Sequence, residues 1–391
     1  MKLFATVAAL AACIVAGSSK FDQPTNILNE DVETINTCTQ PGATPTIAII
    51  DADMDDIVAL LYLFKEPTVN VTAVIVDGDG WAHLDEGIES VMRTIEFAGL
   101  TGRVEVGAGA TYNMVNEATH GDVYQDSVPP AIDCGRNDVD SVLHLRDQFL
   151  FSPRDLYLNQ PHTLDDGWKV LQKHLNAGTT QVLSTGTFTT LNHLRMKDQA
   201  TFEKISNLVV MGGAVNTPGN LWSVEENKVA EFNIYLDPQA ARDVFASSAA
   251  KVMKLVGLDV TDKYPIERAY LNALNNATAA DAQFVAKLMN VTESICFGPR
   301  FFETFHFWDP LAAGIMVDPT LVTFATEKLS VVANTPINKT VDGWTKIDTE
   351  AGTSITYAAD ISQANADRFA DHLLHNLNSD CIRRVPKKHA C

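Results

Sequence analysis

Short apolar runs rich in β-branched residues alternate with longer stretches of helical periodicity along most of this chain. Thr46 to Ile50 reads TIAII, apolar at consecutive positions, which predicts a strand buried on both faces rather than one half-exposed to water. Ile57 to Phe64 is apolar all round and predicts a buried helix. Val69 to Val76 (VNVTAVIV) predicts the next strand, Leu84 to Gly99 a helix and Val104 to Val106 a third strand. The rhythm resumes with a helix over Asp166 to Ala177 and strands at Gln181–Leu183, Leu208–Met211 and Val252–Val256. Helices are expected over Ala240–Ser247, Phe284–Cys296, Leu311–Met316 and Ser362–Asn376, with a late strand at Tyr357–Ala359. Strand followed by helix, repeated, predicts an α/β fold: an open, mostly parallel Rossmann-like sheet with helices on both faces.

Four stretches break the rhythm. Leu3 to Val15 is apolar, preceded by Lys2 and followed by Ala16, Gly17, Ser18 and Ser19, the layout of a signal peptide cleaved near Ser18. Residues 19–45 read as a loose polar arm, and 109–164 as a long irregular insertion into a domain running from 46 to 376. Residues 377–391 read as a basic, solvated tail. No later segment is apolar enough to span a bilayer, so no membrane association is expected after cleavage.

Composition and charge narrow the partners. The 391 residues are 46% hydrophobic and 20% charged, enough for a large core, and the formal net charge is −20. Such a surface repels phosphate backbones, which argues against a nucleic acid polymer as partner and favours a small neutral substrate or one held through a cation. Six cysteines and N-x-[ST] sequons at Asn70, Asn276, Asn290 and Asn338 agree with a secreted, extracellular glycoprotein. Cys381 and Cys391 could pair locally, Cys38 and Cys134 lie in loop-like stretches, and Cys296 is expected to be a buried free thiol.

Open α/β sheets bind ligands at the carboxyl ends of their strands, so the residues just past each predicted strand carry the chemistry. They are Asp51-Ala52-Asp53-Met54-Asp55-Asp56, Asp77-Gly78-Asp79-Gly80, Ser184-Thr185-Gly186-Thr187 and Gly212-Gly213. Asp51 and Asp53 are two apart at a strand end and point to one face, while Asp55 and Asp56 fall in the first turn of a helix. The helix dipole gives a carboxylate there about 0.3–1 kcal/mol, whereas two carboxylates ~5 Å apart repel by roughly 3 kcal/mol at an effective dielectric of 20. Four together therefore call for a hard divalent cation, Ca²⁺ or Mg²⁺, or for raised pKa values. The simpler alternative is a solvated acidic turn with an N-cap. An EF-hand would need Gly where Asp56 stands and Glu where Tyr62 stands, so that reading fails. A haloacid-dehalogenase-like phosphatase also places D-x-D after its first strand. It would want Thr or Val at position 55, and Asp77-Gly78-Asp79 comes too early for its second acidic motif.

With these segments in hand, residues of roughly 46–375 resemble the nucleoside hydrolase family. The resemblance rests on the aspartate cluster, on Met211-Gly212-Gly213 followed by Pro218-Gly219-Asn220 and Ala230-Glu231-Phe232-Asn233-Ile234-Tyr235-Leu236-Asp237-Pro238, and on Phe307-Trp308-Asp309-Pro310-Leu311-Ala312-Ala313. It implies a ribonucleoside N-ribohydrolase that cleaves the bond between ribose and base using a Ca²⁺-bound water. It also implies a homodimer or homotetramer. By the same resemblance Asp51 or Asp53, with Asp56, Asp309 and the Thr185 carbonyl, would hold the cation. Asp55, Asp79, Met211, Asn220, Glu231, Asn233 and Trp308 would line the substrate site. For Glu231 and Asn233 the competing role is a helix-capping pair, and for Asp309 an N-cap before Pro310.

Three departures from the family pattern stand out. The family has three residues between its second Asp and the Asp-Asp pair, and this chain has only Met54. Counted back without a gap, Asp51 is the ligand and general base; with the D-x-D pattern kept, it is Asp53. Asp79 stands where many members carry Asn, and Trp308 where some carry a leaving-group-protonating His. Trp308 can stack on a base but cannot donate a catalytic proton, which leaves His306 and His83 as candidates. A family member that binds nucleoside or Ca²⁺ without turnover is the non-enzymatic alternative. Purine against pyrimidine preference is left open.

Overall fold

The computed structural model describes residues 32–114, 142, 164–221, 224 and 226–386. The predicted signal peptide and nearly all of the irregular insertion lie outside the described residues. Strands are β1 (Val32–Asn36), β2 (Thr44–Ile50), β3 (Val69–Val76), β4 (Glu105–Ala108), β5 (Gln181–Ser184), β6 (Asn207–Met211), β7 (Met253–Val256), β8 (Thr323–Val331), β9 (Thr345–Ile347), β10 (Thr353–Asp360) and β11 (Ile382–Pro386).

Nine of them form one sheet in the order β4-β3-β2-β5-β6-β7-β10-β8-β9. From β4 to β10 every neighbouring pair is parallel; β8 alone runs against the rest, pairing antiparallel with both β10 and β9. The chain lays down β2, β3 and β4 in one direction, then returns to place β5 on the free side of β2. The switch point therefore lies between β2 and β5, where a ligand crevice is expected.

The alternation within β2 shows why TIAII carries no polar face. Ala48 and Ile50 pack on one side with the helices Met54–Lys65, Ala280–Thr292, Trp308–Val317 and Gln363–Leu377. Ile47 and Ile49 pack on the other with the helices Gly167–Asn176, Thr189–Lys197 and Pro238–Phe245. Both faces are dry, which a parallel sheet requires. Pairing is level at the carboxyl edge, with Ile50 opposite Val76, Ile49 opposite Ser184, Ser184 opposite Val210 and Met211 opposite Val256. The residues that follow these strands thus emerge together.

The two chain ends depart from the sequence expectation. β1, from the predicted loose arm, pairs antiparallel with β11, from the predicted solvated tail. A disulfide between Cys38 and Cys381 staples this ribbon across 343 residues of sequence. Cys381 is therefore not paired with Cys391, and Cys296, expected to be a free thiol, is disulfide-bonded as well. Apolar runs could not reveal β1 and β11, because VETIN and IRRVP have almost no apolar alternation.

Candidate active site

The end of β2 opens directly into the aspartate turn. Ala52 takes a left-handed backbone conformation at φ 57°, uncommon for a residue with a Cβ, and this folds Asp51 back beneath the turn. Asp53 then caps the helix Met54–Lys65: its carboxylate accepts from the Met54 N–H, and the Asp56 carboxylate accepts from the Asp53 N–H at 3.1 Å. This is a capping box, so the simple capping role foreseen for the turn is present. It leaves Asp51, Asp55 and Asp56 almost completely buried.

Each of these carboxylates is turned to a hydrogen-bond donor. Asp51 Oδ2 accepts from Trp81 N at 2.8 Å, Asp55 Oδ2 from Asp309 N at 3.0 Å, and Asp56 Oδ1 from the Thr185 hydroxyl at 2.5 Å. Asp309, in the first turn of the helix Trp308–Val317, is brought beside Asp55 by that bond. Two glycines permit the approach to Asp51. A Cβ on Gly80 would lie 2.1 Å from Asp51 Oδ2, and one on Gly186 would lie 2.8 Å from Asp51 N.

Burial pushes the Asp55 carboxyl up to about 7, against the lowering effect of the Asp309 N–H. Burial, then the neighbouring aspartates, holds Asp53, Asp56 and Asp309 well above the usual carboxylate range. Asp51 is the hub: its charge raises Asp53, Asp55, Asp56, Asp77, Glu231 and Asp309 alike. By donor type and charge these five aspartates fit a hard divalent cation. Among the described residues no three acidic, histidine or cysteine side chains converge closely enough to enclose an ion as they stand.

The second wall comes from the Met211–Asp237 segment. Glu231 caps the short helix Phe232–Leu236, accepting from Asn233 N at 2.9 Å and Ile234 N at 3.2 Å, and also from Gly213 N at 3.0 Å. Its predicted capping role is thus realised, and burial pushes it up to about 7. Asn233 Nδ2 donates to the Thr185 carbonyl at 2.7 Å and rests 3.4 Å from Met211 Sδ. A carbonyl has two lone pairs, so the Thr185 oxygen retains one. Asn220 Oδ1 accepts from Phe232 N at 2.9 Å.

Trp308 Nε1 donates to Asp262 at 2.6 Å, and its ring lies 5.3 Å from that of His306. His306 is buried with Nδ1 3.0 Å from the Thr304 carbonyl; burial lowers its pKa, partly offset by Asp262. His83 sits at the N-cap position of the helix Leu84–Phe97.

Asp79, which the resemblance places at the substrate, is turned to two hydroxyls. Each of its oxygens accepts one bond, from Thr187 at 2.7 Å and from Thr189 at 2.6 Å. Sequence reasoning also missed Trp81, whose ring stacks on Phe232 at 4.2 Å and 12° while its N–H holds Asp51. The available signal was its position two residues past Asp79, in a stretch following a strand end.

Sheet and site together define an open α/β protein with an acidic crevice at the switch point, lined by carboxylates, amides and an aromatic pair. Residues 48–371 match the family described as inosine-uridine preferring nucleoside hydrolase, and the chain belongs to that family. It is 25% identical over 316 residues to nucleoside hydrolase 3 of Arabidopsis thaliana, covering 68% of this chain and 35% of the relative. It is 28% identical over 284 residues to nucleoside hydrolase 4 of the same plant, covering 65% and 50%. The chain thus spans half or less of these two curated relatives. The inosine-uridine preferring nucleoside hydrolase of Crithidia fasciculata is 25% identical over 292 residues, covering 73% and 83%. Among solved structures, a plant nucleoside hydrolase, PpNRh1, superposes with a TM-score of 0.70 at 19% identity, covering 87% of this chain and all of that one. At that identity the likeness speaks for the fold, which is the mostly parallel α/β fold expected.

Proposed function

We propose that this chain is a ribonucleoside N-ribohydrolase, releasing ribose and free base from a nucleoside. One observation carries the reading: four buried aspartates, 51, 55, 56 and 309, gather with half-buried Asp53 at the switch point, beside the Glu231–Asn233 segment. As the base departs, positive charge develops on the ribose ring. Buried carboxylates held by N–H and O–H donors stabilise that charge in a low-dielectric setting without reorganising. Asp51, the hub, takes the proton from water as its oxygen attacks the anomeric carbon, and the base leaves with a proton. Asn220 and Asn233 offer amides to the sugar hydroxyls. Trp81 and Trp308 present aromatic rings to the base. His306, beside Trp308, offers an imidazole for protonating the base.

Asp51, Asp53, Asp56, Asp309 and the Thr185 carbonyl would hold Ca²⁺. The bound ion would supply charge compensation and would polarise hydroxyls and water. The experiment incubates purified protein with inosine, uridine, deoxyinosine and a phosphate monoester, with and without a chelator, assaying reducing sugar and phosphate. Chelator-sensitive ribose release with little deoxyinosine turnover is expected. Phosphate release, or binding without release, would overturn the reading, and undiminished activity in Asp309→Ala would overturn the metal assignment. Asp51→Asn should lose about 10²–10⁴-fold in kcat, more than Asp53→Asn; the reverse order would move the base to Asp53.

Secretion is supported by the Cys38–Cys381 and Cys296 disulfides, which persist in oxidising compartments, and by exposed sequon residues Asn276, Asn290 and Asn338. Expression with the native leader, followed by mass measurement before and after deglycosylation, tests it. A homodimer or homotetramer is the expected assembly, to be read from solution mass.

A further inference from the structure

A second acidic network lies outside the aspartate turn. Asp77, Asp79 and Asp237 are fully buried, and among the described residues none receives a bond from lysine or arginine. Asp77 accepts from the Thr190 hydroxyl and from Ala110 N at 3.2 Å. Asp237 accepts from Ala240 N and Met114 N, both at 2.9 Å. Among the described residues Asp79 has only the hydroxyls of Thr187 and Thr189.

The protons in this network can be counted. Thr189 Oγ1 lies 2.6 Å from Asp79 Oδ2 and 2.6 Å from Asp237 Oδ2. A hydroxyl donates one proton, so with both carboxylates ionised one of these short contacts would set oxygen lone pairs against each other. One carboxyl must carry a proton. Peptide N–H donors favour the ionised form, and among the described residues Asp237 has two while Asp79 has none. We infer that Asp79 stands as a neutral carboxylic acid that donates from Oδ2 to Thr189, which donates in turn to ionised Asp237. The separations match those of charge-assisted O–H···O bonds. Burial and then the charges of Asp77 and Asp237 act in the same direction, raising Asp79. The titratable groups facing it are Asp77 past β3 and Asp237 at the helix start, with His193 acting on Asp237 and Asp51 acting on Asp77.

This proton makes Asp79 a positioning residue. Asp79 follows β3 and Thr187 follows β5, the two strands flanking β2. Their link closes over the strand that ends in Asp51, and it fixes the segment whose Gly186 and Thr185 meet Asp51 and Asp56. Loss of the proton at high pH would add a negative charge and break the link to Thr189. An Asn side chain would keep it, donating from Nδ2 and accepting at Oδ1.

The inference rests on the hydrolase reading only for its effect on activity; the protonation is measured separately. The infrared difference spectrum between wild type and Asp79→Asn at neutral pH should show one carboxylic-acid C=O band lost. In ribose release, Asp79→Ala should lose about 10²-fold in kcat, with Asp79→Asn about tenfold or more above it and without the wild type's alkaline fall. An unchanged acid band, or Asp79→Asn falling as far as Asp79→Ala, would overturn the inference. If no variant releases ribose, the band alone decides it, and the hydrolase reading fails separately.

Discussion

A cluster of carboxylates works only if its members can be packed together, and in this chain glycine allows it. Gly80 abuts the Asp51 carboxylate so closely that any side chain must displace it. Gly80→Ala is expected to cost about 1–3 kcal/mol of stability through overpacking and to lower ribose release by about 10²-fold through misplacement of Asp51. Urea denaturation and a ribose assay on the same preparation check it, and full activity in a folded Gly80→Ala would refute the central place given to Asp51. The aspartates were legible because four carboxylates in one turn defy ordinary helix chemistry. The family segments supplied Asn220, Glu231 and Asn233. Trp81 was not legible, since a single aromatic after a strand end is ordinary in sequence and its meaning lies in a peptide N–H. Nor was the turning of Asp79 toward Thr187 and Thr189, since bonds between separate strand ends leave no trace in local spacing.

Among elements, legibility followed burial. β2, β3, β5, β6 and β7 are largely covered on both faces and stood out as short apolar runs. β8 is largely exposed along TFATEKLSV, and β1 and β11 find their partners only across the length of the chain, so no local pattern marked them. The ribbon they form depends on a link that closes a very long loop, and breaking it should cost about 2–5 kcal/mol. Cys38→Ser with Cys381→Ser should lower the denaturation midpoint and speed amide exchange over Val32–Asn36. Ribose release should persist, because the site stands on the other sheet; loss of activity in a folded double variant would show that the ribbon supports the crevice. A second tie is buried Lys65, whose Nζ lies 2.6 Å from Asp281, 3.0 Å from the Leu377 carbonyl and 2.9 Å from the Ser379 carbonyl. It joins the helix that begins at the aspartate turn to two others. Lys65→Met removes the ammonium from buried Asp281 and should cost about 3–5 kcal/mol in urea denaturation; a cost under about 1 kcal/mol would mean that the pair is as weak as a surface one.

For the whole molecule, the buried carboxyls make stability a function of pH and of cation together. Asp55, Asp77 and Glu231 are each held up to about 7 by burial in the folded chain, whereas in the unfolded chain Asp and Glu ionise near about pH 4. Between those values the folded state binds more protons than the unfolded state, so stability is greatest below about pH 4 for these groups and is lost as pH rises through about 7. Other groups add their own pH dependence, but these are concentrated in and around the acidic crevice, where a cation would bind. A divalent ion competes with the protons for the same oxygens, and its stabilisation grows as the protons leave. Calcium chloride at about a hundredfold excess over its Kd should stabilise the protein by about 2.7 kcal/mol, read as a rise in Tm. The rise should be larger at pH 8 than at pH 5, and Asp309→Ala should shrink it at pH 8. Equal rises at both pH values would detach calcium from the acidic crevice and place its effect elsewhere on this strongly negative chain.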